Sequence, residues 1–164
     1  MNVQRLAKLL QNREQVIREV VLNKSKDNNL ILYGARGFNA QVPGYLRKKT
    51  TDYDLLSKKP KRTAKEIAET LSRRLEGNVN VKKAKHKGTY KIQINGENII
   101  DITQLKKKPK TKRIFGTEVK DIKSIKRNTQ RLLKNPNTEY RREKDMDTFN
   151  RIMEIERIEQ SINF

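Results

Sequence analysis

Cysteine and tryptophan are absent from the 164-residue chain, and His86 is its one histidine. Without cysteine there is no disulfide scaffold, no thiolate-bound zinc and no cysteine nucleophile. A single imidazole likewise leaves no His-rich metal site and no His-Asp-Ser relay. No apolar run reaches the roughly 18 residues of a membrane helix. The opening MNVQRLAKLLQNREQ is charged throughout, where a signal peptide would be apolar. No segment combines an aromatic face with a lysine-rich one, as a membrane-surface helix does. The expectation is a soluble, cytoplasmic protein with no membrane partner. Acidic residues are few: 19 Asp and Glu face 39 Lys and Arg, a net charge of +20. That excess makes a polyanion the leading class of partner. Charged residues (35%) match hydrophobic ones (34%), a balance that gives disorder only when the apolar positions are scattered. Here they are periodic.

Val3, Leu6, Leu9, Leu10, Val16, Ile17, Val20 and Val21 recur at helical spacing and predict an amphipathic helix ending near Asn23. Leu30 to Tyr33 is a short apolar run stopped by Gly34, the pattern of a buried strand entering a turn. A short helix is expected between Gly37 and Val42, ahead of Pro43. From Asp52 to Ser57 the strand period puts Asp52, Asp54 and Leu56 on one face and Tyr53 and Leu55 on the other. Thr63 and Glu66 form a capping-box pair for a helix with Ala64, Ile67, Ala68, Leu71 and Leu75 on its apolar face, stopped by Gly77. The period then changes to two: Val79 and Val81, then Tyr90, Ile92 and Ile94, then the hairpin signal Asn95-Gly96, then Asn98 to Thr103. Lys106 to Arg113 is expected to be an exposed basic loop. Two helices close the chain, about Asp121 to Leu133 and Thr138 to Ile162, broken by Asn135-Pro136. This order implies an α+β fold, a small mixed β-sheet with helices packed mainly on one face and a C-terminal helical extension. Residues 1–115 are expected to form the sheet domain with its N-terminal helix, and residues 116–164 the extension packed on it.

Three carboxylates stand out. Asp52 and Asp54 project together, and Asp101 is alone in a strand of isoleucines, costly without a partner or a job. Carboxylates from adjacent strands can gather around hard cations, so Asp52, Asp54 and Asp101 are candidate ligands for two Mg²⁺ or Mn²⁺ ions. Such a pair can activate a hydroxyl and stabilise leaving pyrophosphate in phosphoryl transfer, chemistry that needs no cysteine or histidine. Backbone N–H groups of the Gly34 to Gly37 turn can hold a phosphate at a helix N-terminus, and Arg36 beside them is either a further phosphate ligand or a solvated turn residue. The alternative for Asp101 is a carboxylate satisfied by a lysine.

The segments YGARGFNA (Gly34, Ala35, Arg36), RKKTTDYDLL (Asp52, Asp54) and ENIIDIT (Asp101) resemble the nucleotidyltransferase superfamily with the DNA polymerase beta-like palm. The family's pattern is a strand, a Gly-Gly or Gly-Ser turn opening a helix, an Asp-x-Asp strand, and a third carboxylate on a later strand; Arg47 to Thr51 also resembles its stretch before the aspartates. GTEVKDIKSIKRNTQRLLKNP and YRREKDMDTFNRI resemble the helical tail of stand-alone members, among them abortive-infection type enzymes and viral poly(A) polymerase catalytic subunits. Ala35 departs from the family's Gly or Ser.

The resemblance implies a metal-dependent nucleotidyltransferase that moves a nucleoside monophosphate from a nucleoside triphosphate to an acceptor hydroxyl. Asp52, Asp54 and Asp101 would be catalytic and metal-binding, and Gly34, Ala35, Arg36, Gly37 and Thr51 nucleotide-binding. The charge points to RNA or DNA as acceptor, through template-independent tailing or polymerase-type extension. Lys106, Lys107, Lys108, Lys110, Lys112 and Arg113 are candidates for tracking its backbone. A non-catalytic nucleic-acid-binding module on the same scaffold, and a toxin-type transferase modifying tRNA or protein, are the alternatives. A second Asp-x-Asp, Asp145 and Asp147, falls on a helix, where residues two apart diverge by about 200° and do not share one ion. Asp147 is assigned to the surface, and Asp145 with Lys144 to support of the site by resemblance. His86, among lysines, is an exposed hairpin residue.

Overall fold

A computed structural model describes residues 2–163. Helix α1, Val3–Asn28, starts where the Asn2 side chain accepts the Gln4 N–H and ends at Asn29 in the left-handed region (φ 51°). Asparagine tolerates that conformation and ends helices this way. The helix therefore runs five residues past the expected stop at Asn23. Its polar last turn is anchored, since buried Ser25 donates to the Val21 carbonyl at 2.7 Å and Lys24 reaches Glu66 at 2.7 Å.

Seven strands follow: β1 Ile31–Tyr33, β2 Tyr53–Ser57, β3 Val79–Lys83, β4 Thr89–Ile94, β5 Glu97–Gln104, β6 Thr111–Ile114 and β7 Thr117–Lys120. They form one mixed sheet in the order β3-β4-β5-β2-β1-β7-β6. The β1/β7 and β2/β5 pairs are parallel and the others antiparallel. Asn95 and Gly96 both take positive φ, as the β4–β5 hairpin signal requires. Four further helices are α2 Gly34–Asn39, α3 Pro60–Arg74, α4 Ile122–Lys134 and α5 Arg142–Ile162.

The mixed α+β architecture expected from the element order is present, with local differences. Helix α2 opens directly at Gly34 instead of near Gly37. Helix α3 starts at Pro60, in the first helical position where its missing N–H costs nothing. Thr63 and Glu66 make no capping box: Thr63 is buried with its hydroxyl on Ser57 at 2.8 Å, and Glu66 binds Lys24 and Arg62. Part of the basic run 106–113 is strand, since residues from Thr111 form β6. Strand β7, within the segment expected to be a helical extension, pairs with β1 inside the sheet. A 3₁₀ turn, Pro136–Arg141, precedes α5.

Helices α1 and α3 cover one face of the sheet. Strand periodicity turns Leu55, Ile92, Ile100 and Ile102 towards Val21, Ile67 and Leu71, and all of these are fully buried. Phe38, Val42, Leu46 and Ile152 form a smaller core that joins α2 and its following loop to α4 and α5. The first turns of α1 extend beyond the main core, leaving Val3, Leu6, Leu9 and Leu10 exposed.

Replacing Leu55 by Ala is expected to cost about 3 kcal/mol, from lost burial plus a cavity. The same change at Leu6 should stay within about 0.5 kcal/mol. Urea unfolding of the two variants measures the contrast.

Candidate active site

The second face of the sheet is polar where the first is apolar. Tyr33, Asp54, Asp101 and Lys91 occupy one row across β1, β2, β5 and β4, fixed by the strand register. Direct neighbours in adjacent strands lie about 4.8 Å apart, so the register alone sets the Asp54 and Asp101 carboxylates side by side. Lys91 Nζ approaches Asp101 Oδ2 at 3.5 Å, which is the lysine partner considered for Asp101. Among the described residues no cation forms an ion pair with Asp54.

Burial, and then the charge of Asp101, push the Asp54 carboxyl up to about 6, against opposition from Lys144 and Lys91. The Tyr33 hydroxyl, 3.2 Å from the Thr103 hydroxyl, is pushed up to about 12, chiefly by burial. This row is therefore a partly desolvated patch with excess negative charge, the electrostatic setting in which a bound cation is favoured.

Gly34 ends β1 with a φ of +63° and packs directly against Asp54. A Cβ placed there would stand 2.2 Å from Asp54 Oδ2, so both the backbone conformation and the space demand glycine. The Gly34 turn and the Asp54 carboxylate are thus held in contact by the β1/β2 pairing.

Across from them stand α4 and α5, enclosing a cleft of about 820 Å³ with the polar face. The far wall is tied down at several points. The Lys48 ammonium donates to the Thr148 hydroxyl, Arg151 donates to the Leu46 carbonyl at 2.9 Å, and Lys126 pairs with Glu156 at 2.6 Å. Gln41 bonds the Lys120 carbonyl at 2.8 Å and accepts the Ile122 N–H at 3.1 Å, joining α2 to the start of α4.

Of the expected site residues, Gly34, Ala35, Thr51, Asp52 and Asp54 line this cleft. Asp52 lies just before β2 and is exposed, with its N–H on the Thr50 hydroxyl and its carboxylate accepting from Thr51 at 3.2 Å. Among the described residues no three carboxylate or imidazole side chains already converge as a metal cluster; Asp101 sits beside Asp54 in the strand register but outside the cleft lining, and the charge of Asp52 also raises the Asp54 carboxyl. Arg36 turns away from the cleft. Its guanidinium lies 4.3 Å from the centre of the Tyr53 ring and donates to the Asp52 carbonyl at 3.2 Å. Gly37 is buried against β1, where a Cβ would meet the Leu32 carbonyl oxygen at 2.8 Å; its place is in helix-to-strand packing. The basic run from Lys106 to Arg113 leads into the edge strand β6 and does not line the cleft; Lys108 and Arg113 pair with Glu118.

The cations that do line the cleft are Lys48, Lys49, Lys120, Arg141, Lys144 and Arg151. Burial pulls Lys48 down from its ordinary value. Arg141 holds buried Asp145 through both carboxylate oxygens, at 3.1 and 3.0 Å, while Asp147 is exposed and paired with Arg151. Sequence reading placed Lys144 and Asp145 near the site only through resemblance. Arg141, Arg151 and Lys120 carried no local signal, because they converge through helix packing. Chemically, the cleft offers hard oxygen donors on its floor and fixed positive charge on its rim, a combination suited to a polyphosphate bound with a divalent cation.

An aspartate that titrates higher in the folded chain than its ordinary 3.8 destabilises the fold as it ionises. Without divalent ions, Asp54 should therefore lower stability as pH rises from about 4 to 7, by at most about 3 kcal/mol. Asp54→Asn removes the charge, so this variant should outlast the wild type in urea at pH 7 and lose that advantage at pH 4.

The family model described as poly(A) polymerase catalytic subunit matches residues 19–135. Among solved structures, the Megavirus polyadenylate synthase superposes with a TM-score of 0.76 at 23% identity, over 86% of this chain and 31% of that one. JHP933 from Helicobacter pylori superposes with a TM-score of 0.51 at 16% identity, over 80% of this chain and 59% of that one. No curated protein matches the chain. The present chain thus spans less than a third of the polyadenylate synthase, and at these identities the likeness is one of fold. The family match includes the Gly34 turn and all three aspartates, and the chain belongs to the poly(A) polymerase catalytic subunit family.

Proposed function

We propose that this chain transfers a nucleoside monophosphate from a nucleoside triphosphate to the 3′ hydroxyl of an RNA strand, with ATP as the donor. The observation that carries the reading is the Asp54 and Asp101 pair, set in register on adjacent strands, with the Gly34 turn packed on Asp54. Membership of the poly(A) polymerase family supports the choice of ATP and RNA. In the reaction, the hydroxyl oxygen bonds to the α-phosphorus, the bond from that phosphorus to the bridging oxygen breaks, and pyrophosphate leaves.

The donor set fits a divalent cation, since it is all oxygen and its negative charge is incompletely matched by Lys91. Asp54 and Asp101, with Asp52 swinging in from the segment before β2, would hold Mg²⁺ or Mn²⁺. Such ions lower the pKa of the attacking hydroxyl and neutralise charge on the leaving group.

The chain's own residues supply the rest. Gly34 allows the triphosphate to approach the backbone at the strand end. Lys48, Lys144 and Arg151 lie on the opposite wall and attract the phosphates. Thr148 and the Phe38 ring, 5.3 Å from Lys48 Nζ, fix the Lys48 ammonium, so little reorganisation is needed when the nucleotide binds. Asp145 keeps Arg141 in place on the same rim.

Incubation with radiolabelled ATP, Mg²⁺ or Mn²⁺ and an RNA primer should extend the primer. Asp54→Asn and Asp101→Asn should each lower the rate by roughly 10² to 10³-fold. Absence of extension with every nucleotide and metal would refute the reading. Independently of activity, Mn²⁺ should raise the melting temperature of the wild type and leave an Asp54→Asn, Asp101→Asn double variant unmoved. Lys144→Ala should raise KM for ATP by about tenfold, the loss of one charged contact.

A further inference from the structure

On the α1 and α3 side of the sheet, away from the Asp54 cleft, the junction of β2 with α3 and the β3–β4 hairpin enclose a groove of about 740 Å³. Lys58, Lys59, Lys61, Lys65, Lys83 and Lys87 line it, and all six are exposed. Among the described residues none of them forms an ion pair. The one carboxylate in the lining, Glu66, is already taken by Lys24 at 2.7 Å and Arg62 at 2.8 Å. The groove therefore carries a large positive charge with no internal counterion. Its floor is different in kind. Pro60 is buried there, and the Tyr90 ring, packed on the main core, borders the groove with its outer part. Gly88, at φ +88°, adds no side chain beside it.

Lysines spaced along an apolar floor with one aromatic ring are what an unpaired polynucleotide requires: phosphates meet the ammonium groups and a base meets the ring. A duplex keeps its bases stacked inside and has no use for the ring. An acidic peptide would match the charge and leave the ring idle. We propose that this groove binds single-stranded RNA, upstream of the 3′ end that the cleft receives. The RNA identity of the occupant rests on the function proposed above. The placement suits one continuous strand. Lys58 directly follows β2, the strand that carries Asp54, and lies about 13 Å from Asp54 along it. The run Lys106 to Arg113, where the sequence put backbone tracking, lies at the other edge of the sheet.

The test compares the wild type with a Lys61→Glu, Lys65→Glu, Lys87→Glu variant, using fluorescence anisotropy of a labelled single-stranded RNA of about 20 nucleotides over a range of salt. The variant should bind at least about tenfold more weakly at low salt, and its salt slope should fall by roughly 2, the loss of three phosphate contacts. Its extension of a primer only a few nucleotides long should equal that of the wild type, since none of the three lysines lines the cleft. Photo-crosslinking of bromouridine-substituted RNA to the wild type should label the peptide containing Tyr90. Unchanged affinity and slope in the variant would overturn the proposal, as would equal groove-dependent binding of double-stranded RNA or of polyglutamate. Failure of primer extension in the wild type, with groove-dependent RNA binding intact, would overturn the transferase reading and leave the groove standing.

Discussion

Two carboxylates on neighbouring strands, half withdrawn from water, are the constraint around which the polar side of this protein is arranged. Asp54 and Asp101 repel each other, and nothing in their own strands relieves the repulsion. It is sustained because the register that places them is also the register that buries Leu55 against Ile100 and Ile102 on the other face. Sliding β2 by one residue would separate the aspartates but would turn its apolar side chains towards the cleft and leave the core without them. Hydrophobic burial on one side thus holds an unfavourable charge arrangement on the other. This is the general way in which a stable scaffold supports a strained functional site.

The surroundings follow from that arrangement. Gly34 is the only residue type that leaves room for the Asp54 carboxylate while turning the chain into α2. The second core, built on Phe38 and Ile152, brings α5 across so that its basic side chains face the aspartates over the width of the cleft. The net charge of +20 is accordingly divided by structure into separate parts: a rim that faces the carboxylates, a groove on the reverse side, and an edge run in which Lys108 and Arg113 pair with Glu118.

Much of this was legible in the sequence, for physical reasons that also mark where legibility stopped. Alternation along Tyr53 to Ser57 and Asn98 to Thr103 reads directly as one buried and one polar face, so the facing of Asp54 and Asp101 could be inferred from period alone. The left-handed Asn95-Gly96 pair and the apolar face of α3 were equally plain. The direction of Arg36 was not legible, because nearness in sequence to the Gly34 turn does not fix a side chain's direction, and the Tyr53 ring offers it a surface. Strands β6 and β7 are short and rich in polar residues, and β6 is the sheet's edge, which must not attract a further partner. Their membership of the sheet depends on contacts with distant β1. The cationic rim was invisible for the same reason, being assembled from the loop before β2, the end of β7, the 3₁₀ turn and α5.

Strand β1 also has a consequence for how the molecule comes into being. It is three residues long, and it lies between β2 and β7, pairing Ile31 with both Leu56 and Glu118. The second of these partners is more than eighty residues away, so its loop-closure entropy is spent before the contact returns any stability. During synthesis, hairpins such as β4–β5 can form as soon as they emerge. The strand that leads into Gly34 acquires its second neighbour only after β7 has been made. The β1/β2 pairing that holds the turn against Asp54 is therefore flanked on its other side late, once most of the surrounding scaffold already exists.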